Sequence, residues 1–274
     1  MKYFLDEPAC SRWARYAVAA LPLVYLIVAL LYSAESAPWG RQVDPESAYA
    51  MNGIAWAAGY GMMKTDHPGT TTILLGGLII KSWAFLSGRQ DTVEFGLKNY
   101  DAVIYAVRAA EALILTSAML CGGIIVRNAT RSAIAAMLFQ VAPFVHAEAL
   151  HFAVMLIPES LMVSCAIIGM ALVIKAALDE HPPTGGLGAG LGLVFALGFS
   201  SKYLFAPFIF FCAALLRNRR ALAIAILVGA FSFFIFNRVL SPHVFTGGFH
   251  WLLALATHKG VYGGGDPGFI DFNV

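Results

Sequence analysis

Apolar runs of about twenty residues, separated by short polar connections, dominate the chain. A helix needs about twenty mostly apolar residues to cross a bilayer, so these runs predict transmembrane helices. Four runs are long and clear: residues 13–33, 100–126, 158–178 and 221–240. Three are shorter or interrupted: residues 132–147, 185–200 and 203–216. The glycine-rich run 185–200 is also compatible with half of a re-entrant hairpin.

The orientation of these helices depends on a further apolar stretch, residues 70–86. If it lies along the outer surface as an interfacial helix, the basic loops around Arg127, Lys175 and Arg219 all fall on the cytoplasmic side, as the positive-inside rule requires. If it crosses instead, the loops of Arg127 and Arg219 lie outside. The pattern therefore predicts seven spans with a cytoplasmic N-terminus. The predicted external segments are a first loop over residues 34–99, which holds interfacial helices, and a tail over residues 241–274.

The composition supports this class of protein. Hydrophobic residues make up 59% of the 274 residues and charged residues only 12%, against about 25% charged in an ordinary soluble domain. A soluble enzyme, a disordered chain and a nucleic-acid-binding protein are therefore excluded as first interpretations. The sequence predicts an all-α, polytopic protein of the plasma or inner membrane, folded as a single transmembrane module over residues 1–274.

Carboxylates on the outer side are the first candidates for chemistry. In Asp44-Pro45-Glu46, the proline favours the start of a helix. The two acids then either cap that helix or hold a base at the membrane–water boundary. Glu159 is a further candidate, because ionisable groups at the ends of apolar helices are costly and mark function by default.

Cationic groups that could bind a phosphate occur in three places. Asp66-His67-Pro68-Gly69 is a turn sequence before the predicted interfacial helix, whose N-terminal N–H groups favour anions, and Lys64 adds charge beside it. Lys202 follows the run 185–200. The ordinary explanation of a lysine at this position is that its side chain snorkels to the membrane interface. His258 and Lys259 lie in the glycine-rich tail, for which a flexible terminus is the alternative.

Two other groupings are weaker. Arg108 and Glu111 are three residues apart on one helix face, which predicts a structural ion pair inside the bundle. Metal binding is unassigned, and a divalent cation is an open alternative because hard cations prefer carboxylate oxygens. The histidine spacing of a helical zinc protease is absent. The candidate metal ligands are Asp44, His146, Glu148 and His151.

The order of these motifs resembles the C-type glycosyltransferases that use polyprenyl-phosphate sugars. The protein O-mannosyltransferases and the lipid A aminoarabinose transferases are the most similar groups. Glu159 stands where the family usually has aspartate, and family members continue for several helices beyond the position of Val274. The motifs that carry the resemblance are Asp44-Pro45-Glu46 followed by Tyr49, Asp66-His67-Pro68-Gly69, Arg108, Pro158-Glu159 and Ser201-Lys202.

The resemblance implies transfer of a sugar, with inversion, from a polyprenyl-phosphate donor to an acceptor hydroxyl outside the membrane. Asp44 would be the general base, Glu46 and Glu159 would orient groups or hold a metal, and no soluble cofactor would be needed. The partners would be the donor lipid, membrane lipid and a glycan, lipid or protein acceptor. The residues expected to bind the donor phosphate are Lys64, Asp66, His67, Lys202, His258 and Lys259.

Two other functions remain open from the sequence. One is a transporter or channel subunit, in which Arg108, Glu111 and Glu159 would be the intramembrane charges. Against it, there is no visible inverted repeat, and most charges collect at one face of the predicted bundle. The other is a non-catalytic, truncated module of the glycosyltransferase class.

Overall fold

The computed structural model describes residues 12–35, 46–62, 69–145, 154–179, 184–216, 218–239 and 250. All regular secondary structure in these residues is helical, as the apolar runs predict. We number the helices in chain order. They are α1 (Arg12–Glu35), α2 (Glu46–Ala57), α3 (Thr70–Leu86), α4 (Thr92–Lys98), α5 (Tyr100–Thr130), α6 (Ala133–Val141), α7 (Pro158–Leu178), α8 (Thr184–Ser201), α9 (Ala206–Leu215) and α10 (Arg219–Phe234).

Within the described residues, five helices are long and apolar enough to cross a membrane. They are α1, α5, α7, α8 and α10, the last extended by a π-helical turn over Ile235–Val239. The glycine-rich run therefore forms a complete helix rather than half of a hairpin. The described residues are helical and include several apolar helices of membrane-spanning length, which supports the coarse prediction of a polytopic membrane protein.

Two of the seven predicted spans are not helices of that length. Residues 132–147 contain α6, with nine residues, and a 3₁₀ turn over Ala142–Phe144. Residues 203–216 contain a 3₁₀ turn over Tyr203–Phe205 and then α9, with ten residues. Ten residues of α-helix rise about 15 Å, roughly half the thickness of a bilayer core. Both apolar runs are helical, but each is divided between a short α-helix and a 3₁₀ turn, so neither forms one helix of membrane-spanning length within the described residues.

The relative directions of the long helices follow from contacts at both ends. Arg108 on α5 donates to the backbone carbonyl of Ser33 at the end of α1. Near the other end, the carbonyls of Val18 on α1 and Met119 on α5 both accept from the Gln140 side chain, at 2.9 and 3.1 Å. Ser33, late in α1, is therefore close to the early part of α5, whereas Val18, early in α1, is close to a later part of α5. The two helices run antiparallel.

Helices α8 and α10 run parallel and approach closely through small residues. A Cβ atom added to Gly188 would lie 2.6 Å from the carbonyl oxygen of Ala221, and one added to Gly192 would lie 2.7 Å from that of Ala225. At the far end, Asn237 donates to Ser200 at 2.7 Å. Glycines four residues apart let the two backbones touch, as in small-residue contacts between membrane helices.

The described residues of the predicted external loop, 34–99, form the helices α2, α3 and α4. They pack around the first two turns of α5, which has 31 residues and is about 46 Å long, longer than a bilayer core of about 30 Å. Their shared core includes Ile54, Ile73, Ile80, Val103 and Ile104, each 2% exposed or less. This assembly, which we call the cap, lies against one end of the helix bundle.

Candidate functional site

The buried ionisable acidic and basic side chains of the described residues collect where the cap meets the bundle. Glu46 begins α2, Arg108 and Glu111 lie in the first half of α5, and Glu159 lies in the first turn of α7. All four are buried, with Glu46 and Glu111 fully inaccessible. Lys202 follows the last residue of α8 and joins the same group through Glu159. We call these five side chains the charged cluster.

Arg108 and Glu46 form a two-point ion pair at the centre of this cluster. Arg108 Nε donates to Glu46 Oε1 at 2.8 Å and Nη2 donates to Oε2 at 2.5 Å. Glu46 Oε1 also accepts from the backbone N–H of Leu156 at 2.6 Å. The pair thus joins α2 and α5 to the segment that precedes α7. Because both carboxylate oxygens are occupied, the geometry gives Glu46 a positioning role and not that of a base.

The predicted pair between Arg108 and Glu111 is not formed. Glu111 instead accepts from Thr72 Oγ1 at 3.1 Å and lies beside the backbone amide of Ile157. The three-residue spacing does place both side chains on one helix face. However, the planar guanidinium makes a better bond to a carboxylate that meets it with both oxygens, and Glu46, on another helix, is placed to do so.

Glu159 and Lys202 form the second ion pair of the cluster. Glu159 is in the first turn of α7, after Ile157 in an extended conformation and Pro158 at the helix start. Lys202 follows α8, also in an extended conformation. The lysine side chain keeps 22% of its surface exposed. The sequence indicated both residues separately, and the structure brings them together.

Three consecutive threonines at the start of α3 connect the cap to three different helices. Thr70 Oγ1 donates to Asn237 Oδ1 at 2.8 Å, at the end of α10. Thr71 Oγ1 lies 2.6 Å from Ser201 Oγ on α8, and Thr72 bonds Glu111 on α5 as described above. The backbone supports this junction, because Gly69 donates to the carbonyl of Ser201 at 3.0 Å. Each threonine therefore holds α3 against a separate bundle helix.

An apolar groove of about 650 Å³ begins directly beside this junction and runs down the bundle. It lies among α3, α5, α7 and α8, and its walls are almost entirely carbon. The residues that line it include Leu74, Leu78, Ile114, Ala118, Leu161 and Val194. A second apolar groove, of about 390 Å³, lies among α8, α9 and α10.

The hydroxyl groups along the first groove are bonded to the protein itself. Ser117, Ser164 and Ser201 each donate to the carbonyl four residues earlier on their own helix, at 2.7, 2.9 and 2.8 Å. Thr71 is bonded to Ser201. A molecule in the groove therefore meets an apolar wall, which fits a hydrocarbon chain.

Several predicted site residues lie outside the described part of the chain. This applies to the base candidate Asp44, to the phosphate-binding candidates Lys64, Asp66, His67, His258 and Lys259, and to the metal-ligand candidates His146, Glu148 and His151. Among the residues that are described, no group of three or more histidine, cysteine, aspartate or glutamate side chains is arranged to hold a metal ion.

The sequence interpretation missed the threonine junction and Asn237. Thr70, Thr71 and Thr72 were visible only as part of a turn, and their roles depend on helices that follow by up to 167 residues. A polar run at the start of an otherwise apolar helix was the available signal. Asn237 gave a similar signal, because it is a polar amide near the end of an apolar span.

Comparison with known proteins adds no family to this description. No family model, curated protein or solved structure matches the chain. The described residues define a helical protein that has five apolar helices of membrane-spanning length and a charged cluster at one end of its bundle.

Proposed function

We propose that the chain is a membrane glycosyltransferase that moves a sugar, with inversion, from a polyprenyl-phosphate donor to an acceptor hydroxyl. One observation carries the proposal, namely that the apolar groove ends beside the charged cluster. A polyprenyl-phosphate sugar has the same sequence of parts, a long hydrocarbon followed by a charged and polar head. The groove would hold the hydrocarbon, and Lys202 would face the phosphate.

The proposal includes seven crossings of the membrane. Helices α5 and α7 are parallel, because Glu111 lies beside Ile157 at one end and Gly122 packs on Ile167 further along. If two neighbouring helices that are parallel both span the membrane, the chain segment between them must cross the membrane in the opposite direction. Helix α6 supports that return, since Gln140 bonds the carbonyl of Val18 and Phe144 stacks near Tyr25 (ring centroids 5.4 Å apart).

The same reasoning applies to the parallel helices α8 and α10. Phe205 packs on Gly198, near the end of α8, and Phe208 packs on Gly169 beside Val194, further back along α8. Helix α9 thus runs against α8 and returns the chain toward the start of α10. Short helices would complete both crossings. With the arginines that begin α10 in the cytoplasm, the charged cluster lies at the outer boundary.

The proposed reaction is a single displacement at the anomeric carbon of the sugar. The acceptor oxygen forms a bond to the anomeric carbon, while the bond from that carbon to the donor phosphate breaks. The acceptor proton passes to a carboxylate, to which we assign Asp44, two residues before Glu46. The leaving polyprenyl phosphate carries the negative charge, and the Lys202 ammonium stabilises it. Glu46 and Arg108 hold the start of α2.

The structure offers less support for a transporter. Such a protein needs polar groups along a route between the two faces. In the described residues, the charged cluster lies at one end, and both grooves have carbon walls.

Transfer by the purified full-length chain in liposomes tests the proposal. The donors are undecaprenyl phosphate linked to radiolabelled mannose, glucose or 4-amino-4-deoxyarabinose, with a membrane extract as the source of acceptors. We expect label to move from at least one donor, and we expect Asp44→Asn to abolish transfer. The matched control is Asp179→Asn, an exposed aspartate after α7. Absence of transfer from all three donors, or full activity in Asp44→Asn, would overturn the proposal.

A further inference from the structure

Three buried polar atoms of the charged-cluster region have no hydrogen-bond partner within the described protein: Glu111 Oε2, Glu159 Oε2 and Ser160 Oγ. Glu111 and Ser160 are at most 1% exposed and Glu159 is 8% exposed. Buried polar atoms in native proteins are almost always bonded, and an unbonded one costs about 1–3 kcal/mol. A partner from outside the chain would remove that cost.

The residues that carry these atoms come from adjoining parts of the structure. Glu111 lies beside the amide of Ile157 and within electrostatic range of Glu159, and Ser160 follows Glu159 in the first turn of α7. No side chain caps the start of α7 in the structure, so N–H groups of its first turn face the same region. The site therefore offers two carboxylate acceptors together with a hydroxyl and helix N–H donors.

This combination selects one kind of ligand group. The cluster contains three carboxylates and two cations, and Glu111 is the carboxylate without an ion-pair partner among the described residues. A phosphate oxygen without a proton is only an acceptor, so it cannot donate to the unbonded carboxyl oxygens. A metal ion would leave the N–H groups unbonded. Sugar hydroxyls both donate and accept, so they can satisfy all of these groups together.

The location agrees with this chemistry. Ile114 and Ala118 follow Glu111 at three and seven residues, on the same face of α5, and both line the apolar groove. Leu161 and Ser164 follow Ser160 on α7 and line it too. The unbonded atoms thus lie beyond the end of the groove, where the head of a lipid in the groove would be.

We infer that Glu111, with Ser160, binds hydroxyl groups of the transferred sugar and so determines which donor lipids are accepted. The inference deepens the proposed function, on which it rests for the lipid-linked nature of the ligand. Glu111 accepts from the sugar through Oε2 while Thr72 fixes Oε1, and Ser160 Oγ bonds a second hydroxyl. Neither residue takes part in proton transfer.

Binding measurements on the full-length protein in nanodiscs test the inference without requiring turnover. The probes are sugar-free undecaprenyl phosphate and the three sugar-bearing donors named above. We expect the wild-type protein to prefer at least one sugar-bearing donor. In Glu111→Gln we expect that donor to bind roughly tenfold to a hundredfold more weakly, as for a buried hydrogen bond that is lost and leaves its partner unbonded. Affinity for sugar-free undecaprenyl phosphate should not change.

Paired serine variants provide a second measurement that does not depend on Glu111. Ser160→Ala should lower the affinity for the sugar-bearing donor by roughly threefold to tenfold. Ser232→Ala, on α10, removes a buried hydroxyl that lines neither groove, and should leave the preference for sugar unchanged. Thermal unfolding of each variant shows whether it is folded.

The outcomes separate the inference from the proposed function. A wild-type protein that binds all three sugar-bearing donors no better than sugar-free lipid overturns the inference. So does a Glu111→Gln variant that loses affinity equally for sugar-free and sugar-bearing lipid, because a purely structural role has that effect. A protein that prefers a sugar-bearing lipid through Glu111 but transfers nothing supports the inference and overturns the proposed function.

Discussion

Arg108 and Glu46, 62 residues apart in the chain, meet through two hydrogen bonds in a site where both side chains are almost fully buried. Glu46 additionally accepts from the Leu156 amide. One carboxylate thereby fixes the relative positions of α2, α5 and the start of the segment that leads to α7. The pair is a structural centre of the site, in which Glu46 positions the helices around it.

Breaking this pair should destabilise the protein strongly. Arg108→Gln or Glu46→Gln leaves one buried charge without its partner, which costs about 3–5 kcal/mol. Thermal unfolding in detergent measures the loss. The exposed pair of Glu94 and Lys98 on α4 is the matched control, and Glu94→Gln should cost about 0.5 kcal/mol or less.

Replacing both partners distinguishes charge from packing. The double variant Arg108→Met with Glu46→Leu removes both charges and should be less destabilised than either single variant, because no unpaired charge remains. If the single variants unfold like Glu94→Gln, the pair does not hold the cap to the bundle.

Filling the first groove should prevent lipid binding while leaving the fold intact. Cys121 is an exposed residue that lines the groove, so Cys121→Trp places an indole where the hydrocarbon would lie. Each excluded methylene costs about 0.8 kcal/mol, so displacing two lowers affinity about tenfold. Binding of undecaprenyl phosphate in nanodiscs measures the effect. Ala213→Trp in the second groove is the control, and an equal loss there would contradict the assignment.

Because α8 and α10 are in close contact, alanine substitutions at two glycines of α8 should have different effects on stability. In Gly192→Ala the new methyl would lie 2.7 Å from the Ala225 carbonyl oxygen, so the helices must separate, at a cost of about 1–3 kcal/mol. Gly186 has no atom within 4 Å of an added Cβ. Gly186→Ala should therefore be neutral or stabilise by up to about 1 kcal/mol. Unfolding temperatures that fall equally in both variants would rule out this contact.

The proposed orientation can be tested by chemical labelling. Gln90, between α3 and α4, and Asp179, after α7, are both exposed. In a protein without its four native cysteines, Gln90→Cys should react with an impermeant maleimide in right-side-out vesicles. Asp179→Cys should react only after the vesicles are permeabilised. The reverse pattern would place the charged cluster in the cytoplasm.

Features that depend on local apolar content could be predicted from the sequence. The run 100–126 gave α5 to within four residues at its end, and Thr70–Leu86 formed the shorter helix expected of it. Length was harder to predict, because an apolar window does not show where a helix is interrupted. Residues 132–147 contain Pro143, and the α-helix ends just before it, at Val141.

Features that depend on tertiary geometry could not be predicted in the same way. The i, i+3 rule identified Glu111 as the partner of Arg108 because it compares only neighbours on one helix. The actual partner, Glu46, becomes available only when α2 packs on α5. Glycine similarly lowers helix propensity, which made 185–200 the least certain span. The same glycines are needed because α10 touches α8 at Gly188 and Gly192.

The inward-bonded serines of the first groove limit what the protein can recognise there. The hydroxyls among the described lining residues are already bonded within the protein, so a molecule in the groove would gain no hydrogen bond from them. Hydrogen bonding therefore contributes little to recognition along the groove, and for a lipid held there it would act on the head.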